Sequence, residues 1–148
     1  MLRVTRLTDY AALVLTVLAA RPGDVHSAAE LADAAGLEGP TVSKVLKPLA
    51  QAGLVDGFRG AGGGYRLARP PAEITLIEIV EAIEGPLALT ECADHGGSCG
   101  IAARCGVRAS WRHINDVLAD TLRAVTLAEM LGPPRPRRRD IPLRIATA

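Results

Sequence analysis

Aromatic residues are scarce: Phe, Trp and Tyr make up 3% of the 148 residues, while 49% of the chain is hydrophobic. The core must therefore be Leu, Val, Ile and Ala, a composition that favours packed helices. No positively charged start followed by an apolar run and a cleavage site is present. The longest apolar run, Tyr10–Ala20, is interrupted by Thr16 and too short to span a bilayer. These absences predict a cytoplasmic protein with no membrane partner. The paired Cys-x-x-Cys of zinc ribbons is missing. No Gly-Lys-Ser/Thr follows the glycine run at 60–64, which argues against a nucleotide-binding loop. No enzyme and no small-molecule substrate are expected. A thiol enzyme needs an activated cysteine beside a base; His95 near Cys92 is the sole local candidate, and no oxyanion or substrate pocket is visible.

All three cysteines that are present, Cys92, Cys99 and Cys105, fall in one stretch, Glu91–Cys105. Gly96, Gly97, Gly100 and Gly106 punctuate it and allow the chain to fold around a small object. Thiolates held by such a loop suit a soft metal or an iron–sulfur cluster. Buried structural cysteines would need more apolar surroundings than this polar loop offers. A disulfide would leave an odd thiol in a chain with no secretory features. Six and then five residues separate the cysteines, a spacing that leans towards iron and sulfide.

Net charge is +1 but unevenly spread. Residues 1–69 carry eight Lys/Arg against six Asp/Glu, residues 70–131 four against nine, and residues 132–148 five against one. Within 41–69, Lys44, Lys47, Arg59, Arg66 and Arg69 face the single acid Asp56. A local basic patch on a near-neutral chain is a candidate nucleic-acid face.

Taken in order, Leu7–Ala20 reads as a helix ended by Arg21-Pro22-Gly23. Ser27-Ala-Ala-Glu30 is a capping box opening a helix to Ala35, with Gly36 placed for a left-handed cap. Pro40 opens a helix closed by Gly53, within which Pro48 is expected to cause a bend or loosening around Lys44. Two short helices and a tight turn make a helix-turn-helix. Leu54–Phe58 and Tyr65–Ala68 read as strands joined by Arg59-Gly-Ala-Gly-Gly-Gly64, a hairpin that completes a winged helix. In this fold Thr41, Ser43, Lys44 and Lys47 face the major groove of double-stranded DNA. Backbone at Gly62 and Gly63 meets phosphate, and Arg59 enters the minor groove. Thr75-Leu-Ile-Glu78 caps a helix through Glu84, whose Ile74, Ile77, Val80 and Ile83 stripe reads as core. Ala109–Ala124, with Trp111, Ile114, Val117/Leu118, Leu122 and Val125, is the longest amphipathic helix and the expected homodimer interface. His113 falls on its surface. Thr126-Leu-Ala-Glu129 caps a last short helix.

The expected fold class is thus mainly α with a small β wing: a winged helix-turn-helix DNA-binding domain over 1–70, then a cluster-binding loop and long C-terminal dimerisation helix over 71–131. The Pro/Arg-rich stretch 132–148 is expected to be a disordered tail.

Leu7-Thr-Asp-Tyr10, Gly53-Leu-Val55, Arg59-Gly-Ala-Gly-Gly-Gly-Tyr65, the three cysteines, Trp111 and Thr126-Leu-Ala-Glu129 together resemble the IscR- and NsrR-like winged-helix regulators that carry iron–sulfur clusters. The likeness covers about residues 1–131, and the opening ten residues look most like the branch controlling the Suf cluster-assembly operon. It implies a dimeric repressor of iron–sulfur assembly genes, or of nitric-oxide and redox-stress genes, whose cluster is [2Fe-2S] or [4Fe-4S]. IscR-like proteins have a histidine ligand where this chain has Arg108, and a guanidinium does not ligate metal. NsrR-like proteins use an aspartate in the first helix, which Asp9 matches, reaching across from a second subunit. His95 is the other fourth-ligand candidate. A zinc-stabilised DNA-binding module is the remaining alternative.

Overall fold

Periodic hydrophobicity resolves into helices and one hairpin in the computed structural model, which describes residues 3–91, 93 and 99–133. Helix α1 spans Arg6–Ala19, and its Ala11, Val14, Leu15 and Leu18, three and four apart, are at most 1% exposed. Helix α2 (Ala28–Ala35) starts at the expected box. The Ser27 hydroxyl accepts from the Glu30 N–H at 3.2 Å, and the Glu30 carboxylate accepts from the Ser27 N–H at 2.7 Å. Gly36 ends it at φ +64, a left-handed conformation that glycine adopts without a Cβ penalty.

Helix α3 (Gly39–Gln51) carries Pro40 in its first turn and buries Val42, Val45, Leu46 and Leu49. It continues through Pro48 to Gln51. The donor that proline removes would have bonded the carbonyl of Lys44, an exposed residue, so water can serve that carbonyl while Val45 and Leu49 stay anchored in the core.

Strands β1 (Val55–Phe58) and β2 (Gly64–Leu67) pair antiparallel from Val55↔Leu67 to Phe58↔Gly64. His26 adds a bridge to this hairpin: its N–H donates to the Tyr65 carbonyl at 2.9 Å and its carbonyl accepts from the Tyr65 N–H at 2.7 Å. A Cβ on Gly64 would collide with the His26 backbone, so only glycine lets the wing dock there. The wing is thereby fixed to the start of α2.

Helix α4 (Leu76–Glu84) opens with the Glu78 carboxylate accepting from both the N–H and the hydroxyl of Thr75 at 2.9 Å. Helix α5 (Arg108–Arg123) follows the cysteine segment, and α6 (Leu127–Met130) returns to the head. The Leu76 N–H donates to the Val125 carbonyl and the Leu127 N–H to the Ile74 carbonyl, each at 2.8 Å. Ile74, Ile79 and Leu127 consequently complete the same core as the buried faces of α1–α3. Each such side chain contributes about 1.5–3 kcal/mol on leaving water. The order α1, α2–turn–α3, hairpin is a winged helix-turn-helix. Among the described residues no helix is long and apolar enough to cross a membrane.

Helix α5 divides its apolar residues between two faces. Asn115 and Ala119 are buried at 5% and 6% exposure, with Leu118 and Leu122 half-buried beside them. Trp111, Ile114 and Val117 face outward, 39–53% exposed.

Candidate functional site

Because α3 buries Val42, Val45, Leu46 and Leu49, its opposite side presents Pro40, Ser43, Lys44 and Lys47 to solvent, while Thr41 is half-buried. Arg59 is exposed at the root of the wing tip. The other two arginines of the basic stretch have structural partners. Arg66 lies over the Phe58 ring at 4.8 Å and pairs with Asp56 at 3.7 Å. Arg69 binds Glu78 at 2.6 Å and the Glu73 carbonyl at 3.1 Å. Lys44, Lys47 and Arg59 make no ion pair among the described residues, so their charge is available to a phosphate backbone.

The wing-tip glycines separate by role. Gly60 has φ +100, and its carbonyl accepts from the Gly63 N–H at 3.0 Å. A Cβ on Gly63 would sit 2.5 Å from the Phe58 carbonyl oxygen, so packing requires that glycine. Gly62 is exposed, with nothing within 4 Å of its Cβ position. Its lack of a side chain serves no internal contact and leaves backbone accessible from outside.

In the cysteine segment, Cys99 and Cys105 are half-buried free thiols flanking a 3₁₀ turn, Ala102–Arg104. Cys92 and His95 lie outside the described residues, as does the stretch 134–148. Among the described residues no three metal-ligating side chains form a group. The surroundings nonetheless fit an anionic centre. Helix α5 begins three residues after Cys105 with no side-chain cap and no acid in its first turn, so nothing in that turn compensates its positive dipole end. Arg108 Nε is buried without a hydrogen-bond partner among the described residues. A buried cationic N–H without an acceptor calls for a negative neighbour, and thiolate or sulfide sulfur has that character. A guanidinium is a hydrogen-bond donor and not a metal ligand, so Arg108 can face such a centre only as a donor.

Asp9 is exposed on α1 and lines a cleft of about 650 Å³ between α1, α4, α5 and the strap 85–89. Val4, Ala12, Val80, Leu118 and Leu122 give it apolar walls, with Arg3, Asp9 and Glu84 as charged positions. At 1.5 Å rise per residue, Leu118 and Leu122 lie about 15–21 Å along α5 from Arg108. Asp9 therefore faces the C-terminal half of its own α5, and Cys105 precedes the opposite end. His113 is exposed, away from the cleft lining.

Three side chains absent from the sequence-based expectations fasten this region. Asn115 and Glu81 hold the strap, Glu81 by accepting from the Leu87 N–H at 3.2 Å, and Glu84 ties the end of α4 to α1. The Asn115 amide accepts from the Leu89 N–H at 3.1 Å and donates to the Leu87 carbonyl at 3.2 Å. Glu84 Oε1 accepts from the Thr5 N–H at 2.9 Å, from the Thr5 hydroxyl at 2.7 Å and from the Thr8 hydroxyl. The Thr8 and then the Thr5 bonds hold the Glu84 carboxyl below the usual carboxylate range. A polar residue inside the apolar stripe of α5 was the one local signal for Asn115. Glu84 and Thr5 are 79 residues apart, and nothing local announces their meeting.

A helix-turn-helix, a glycine-tipped wing and unpaired cations on both define a winged-helix DNA-binding transcription regulator. The chain belongs to the Rrf2 family, described as iron-dependent transcriptional regulators, which it matches over residues 4–133. It is 34% identical to protein aau3 of Rhizobium meliloti over 88% of this chain and 85% of that one. It is 33% identical to the transcriptional regulator NsrR of Geobacillus kaustophilus, over 88% and 90% of the two chains. The solved structure of IscR from T. potens superposes with a TM-score of 0.65 at 29% identity, covering 88% of this chain and 86% of that one. Proteins of this kind regulate transcription by binding DNA and are not enzymes.

Proposed function

We propose that the chain is a cytoplasmic, homodimeric repressor of iron–sulfur cluster assembly genes, with an iron–sulfur cluster setting its operator affinity. The observation that carries this is the setting of the thiols: two free, half-buried cysteines precede a helix with no side-chain cap, whose first residue, Arg108, has a buried Nε with no partner among the described residues. Cys92, Cys99, Cys105 and Asp9 are the ligands in this reading. Asp9 comes from a second copy, because its own chain turns it towards the far half of α5. Trp111, Ile114 and Val117 form the two-fold contact. This apolar face would otherwise meet water on a family of DNA-binding proteins whose operators have paired half-sites. Ser43, Lys44 and Lys47, with Thr41 at the edge, read the major groove. Arg59 and the backbone at Gly62 and Gly63 hold the flanking strand.

The bound centre supplies a junction that oxidants or nitric oxide can open. The protein makes that opening consequential. A single carboxylate ligand is a weak bond beside three thiolates, and it belongs to the helix on which the recognition helix rests. With such a centre bound, Asp9 would hold the DNA-reading head of one subunit to the cysteine segment of the other, and without it the two would be free of each other. A hundredfold change in operator affinity needs about 2.7 kcal/mol of coupling.

Anaerobic purification tests the reading directly. Visible absorption with matching iron and sulfide supports it, whereas a colourless protein with zinc and no sulfide establishes the zinc-module alternative. Cys99→Ala and Asp9→Ala are expected to change operator affinity while leaving a folded dimer. Parent-like binding by both variants, with and without the cluster, sinks the sensing mechanism. Operators found upstream of nitric-oxide-response genes rather than assembly genes would favour the stress-repressor alternative.

A further inference from the structure

Helix α1 begins without a cap from its own N-terminal residue, since Thr5 makes no side-chain cap bond. The acceptor for this helix end comes instead from the last residue of α4, where Glu84 Oε1 gathers the Thr5 N–H, the Thr5 hydroxyl and the Thr8 hydroxyl. A full negative charge suits a helix N-terminus and an oxygen taking three donors. Glu84 also stands at the start of the strap. Gly85, at φ +89, turns the chain away from α4, and Leu87 and Leu89 are then held to α5 by Asn115. The cysteine segment begins just beyond Leu89. One short path therefore runs from the cysteine segment through the strap to Glu84, and from Glu84 to the start of α1, whose buried face packs in the same core as α3.

We propose that Glu84 is a positioning residue that transmits the state of the cysteine segment to the recognition helix through α1. The inference rests on the sensing function above and adds to it a link within one subunit, separate from Asp9. Thr8 is 3% exposed and lines the cleft with Glu84. When Glu84 withdraws, the Thr8 hydroxyl must exchange a charged acceptor for a weaker one, such as a carbonyl of the preceding turn, as the Thr16 hydroxyl uses that of Leu13. The bonds that tie the end of α4 to the first turn of α1 are then lost.

The experiment uses the full-length protein and compares operator affinity of cluster-bound and cluster-free forms for the parent, Glu84→Ala, Glu84→Gln and Thr8→Val. Where the parent ratio is tenfold or more, about the usual range of such couplings, Glu84→Ala should bring it to within about threefold of one. Thr8→Val should give an intermediate ratio. Glu84→Gln, which keeps an oxygen acceptor, should stay near the parent. A purely structural role predicts something else: lower thermal stability, with both affinities reduced together and their ratio unchanged. An unchanged ratio in folded Glu84→Ala overturns the link and leaves the sensing function standing. A parent ratio of one overturns the sensing function and the link with it.

Discussion

Helices α3 and α5 each bury one side and leave the other outside, but what they leave outside differs. The free side of α3 is Ser43, Lys44 and Lys47, hydrophilic and cationic, and costs nothing to expose. The free side of α5 is Trp111, Ile114 and Val117, apolar surface that water disfavours by about 25 cal/mol per Å². The first suits a partner with a charged, hydrated backbone. The second suits another protein surface, and a copy of the same helix presents one of matching character. The cleft beside Asp9 continues this apolar side through Leu118 and Leu122 towards α1 and α4. One molecule thus carries two exposed faces of opposite chemistry on helices of 13 and 16 residues, and in the reading proposed above each is an interface.

The strongest way to break this comparison is to put charge on α5. Ile114→Glu should convert the dimer to a folded monomer in analytical ultracentrifugation. Loss of one half-site contact should then weaken operator binding more than a hundredfold, by mass action on two weak sites rather than one bivalent one. A dimer that persists places the two-fold contact elsewhere and leaves the exposed stripe unexplained. On α3 the effects should be smaller and of another kind. Lys44→Ala and Arg59→Ala should each lower operator affinity by about 5–50-fold, with the salt slope reduced by about one for a phosphate contact. Both should stay dimeric. Gly62→Ala sharpens the test, because its Cβ meets nothing inside the protein. Binding should fall while the melting temperature holds, whereas Gly63→Ala should lower stability as well. Parent-like affinity and salt dependence in all of these moves the DNA face off α3 and the wing.

Much of the head was legible because its determinants are local. Ser27 with Glu30, Thr75 with Glu78 and Thr126 with Glu129 lie three apart, and each forms the box its spacing announces. Pro40 and Gly36 mark helix ends for equally local reasons. The glycine run read as a wing, though which glycines the fold requires depended on Phe58 and His26, whose carbonyls approach only in three dimensions. Counting charge along the chain overstated the basic patch, because Arg66 and Arg69 are engaged by Phe58, Asp56 and Glu78. The stripe on α5 was visible as one amphipathic face. Its division into an inner and an outer side was not, since that depends on Asn115 choosing the strap. Glu84 was the least legible residue, a helix-terminal acid whose partners lie at the other end of the chain.

Arg69 offers the finest test of the contrast between cations that hold the fold and cations that meet DNA. Desolvation pushes the Glu78 carboxyl up, but the Thr75 N–H and hydroxyl and the Arg69 guanidinium outweigh it, and the net shift is downward. A carboxyl lowered in the folded state adds stability above its unfolded value of about 4.3 and loses it as pH falls through the folded value. The pair is partly exposed, with side chains 37% and 36% accessible, so only a small gain survives solvent screening. Glu78→Gln should therefore melt about 1–3 °C below the parent at pH 7. That gap should close as the pH falls below the unfolded value and through the lowered folded one, where the parent's own carboxyl becomes neutral. Operator affinity and its salt slope at pH 7 should stay within about twofold of the parent, because Arg69 keeps the Glu73 carbonyl and an amide oxygen at position 78 as acceptors and is not turned towards phosphate. A variant that binds DNA distinctly better would show that Glu78 had been restraining a cation able to reach the backbone. Arg69 would then belong with Lys44 and Arg59.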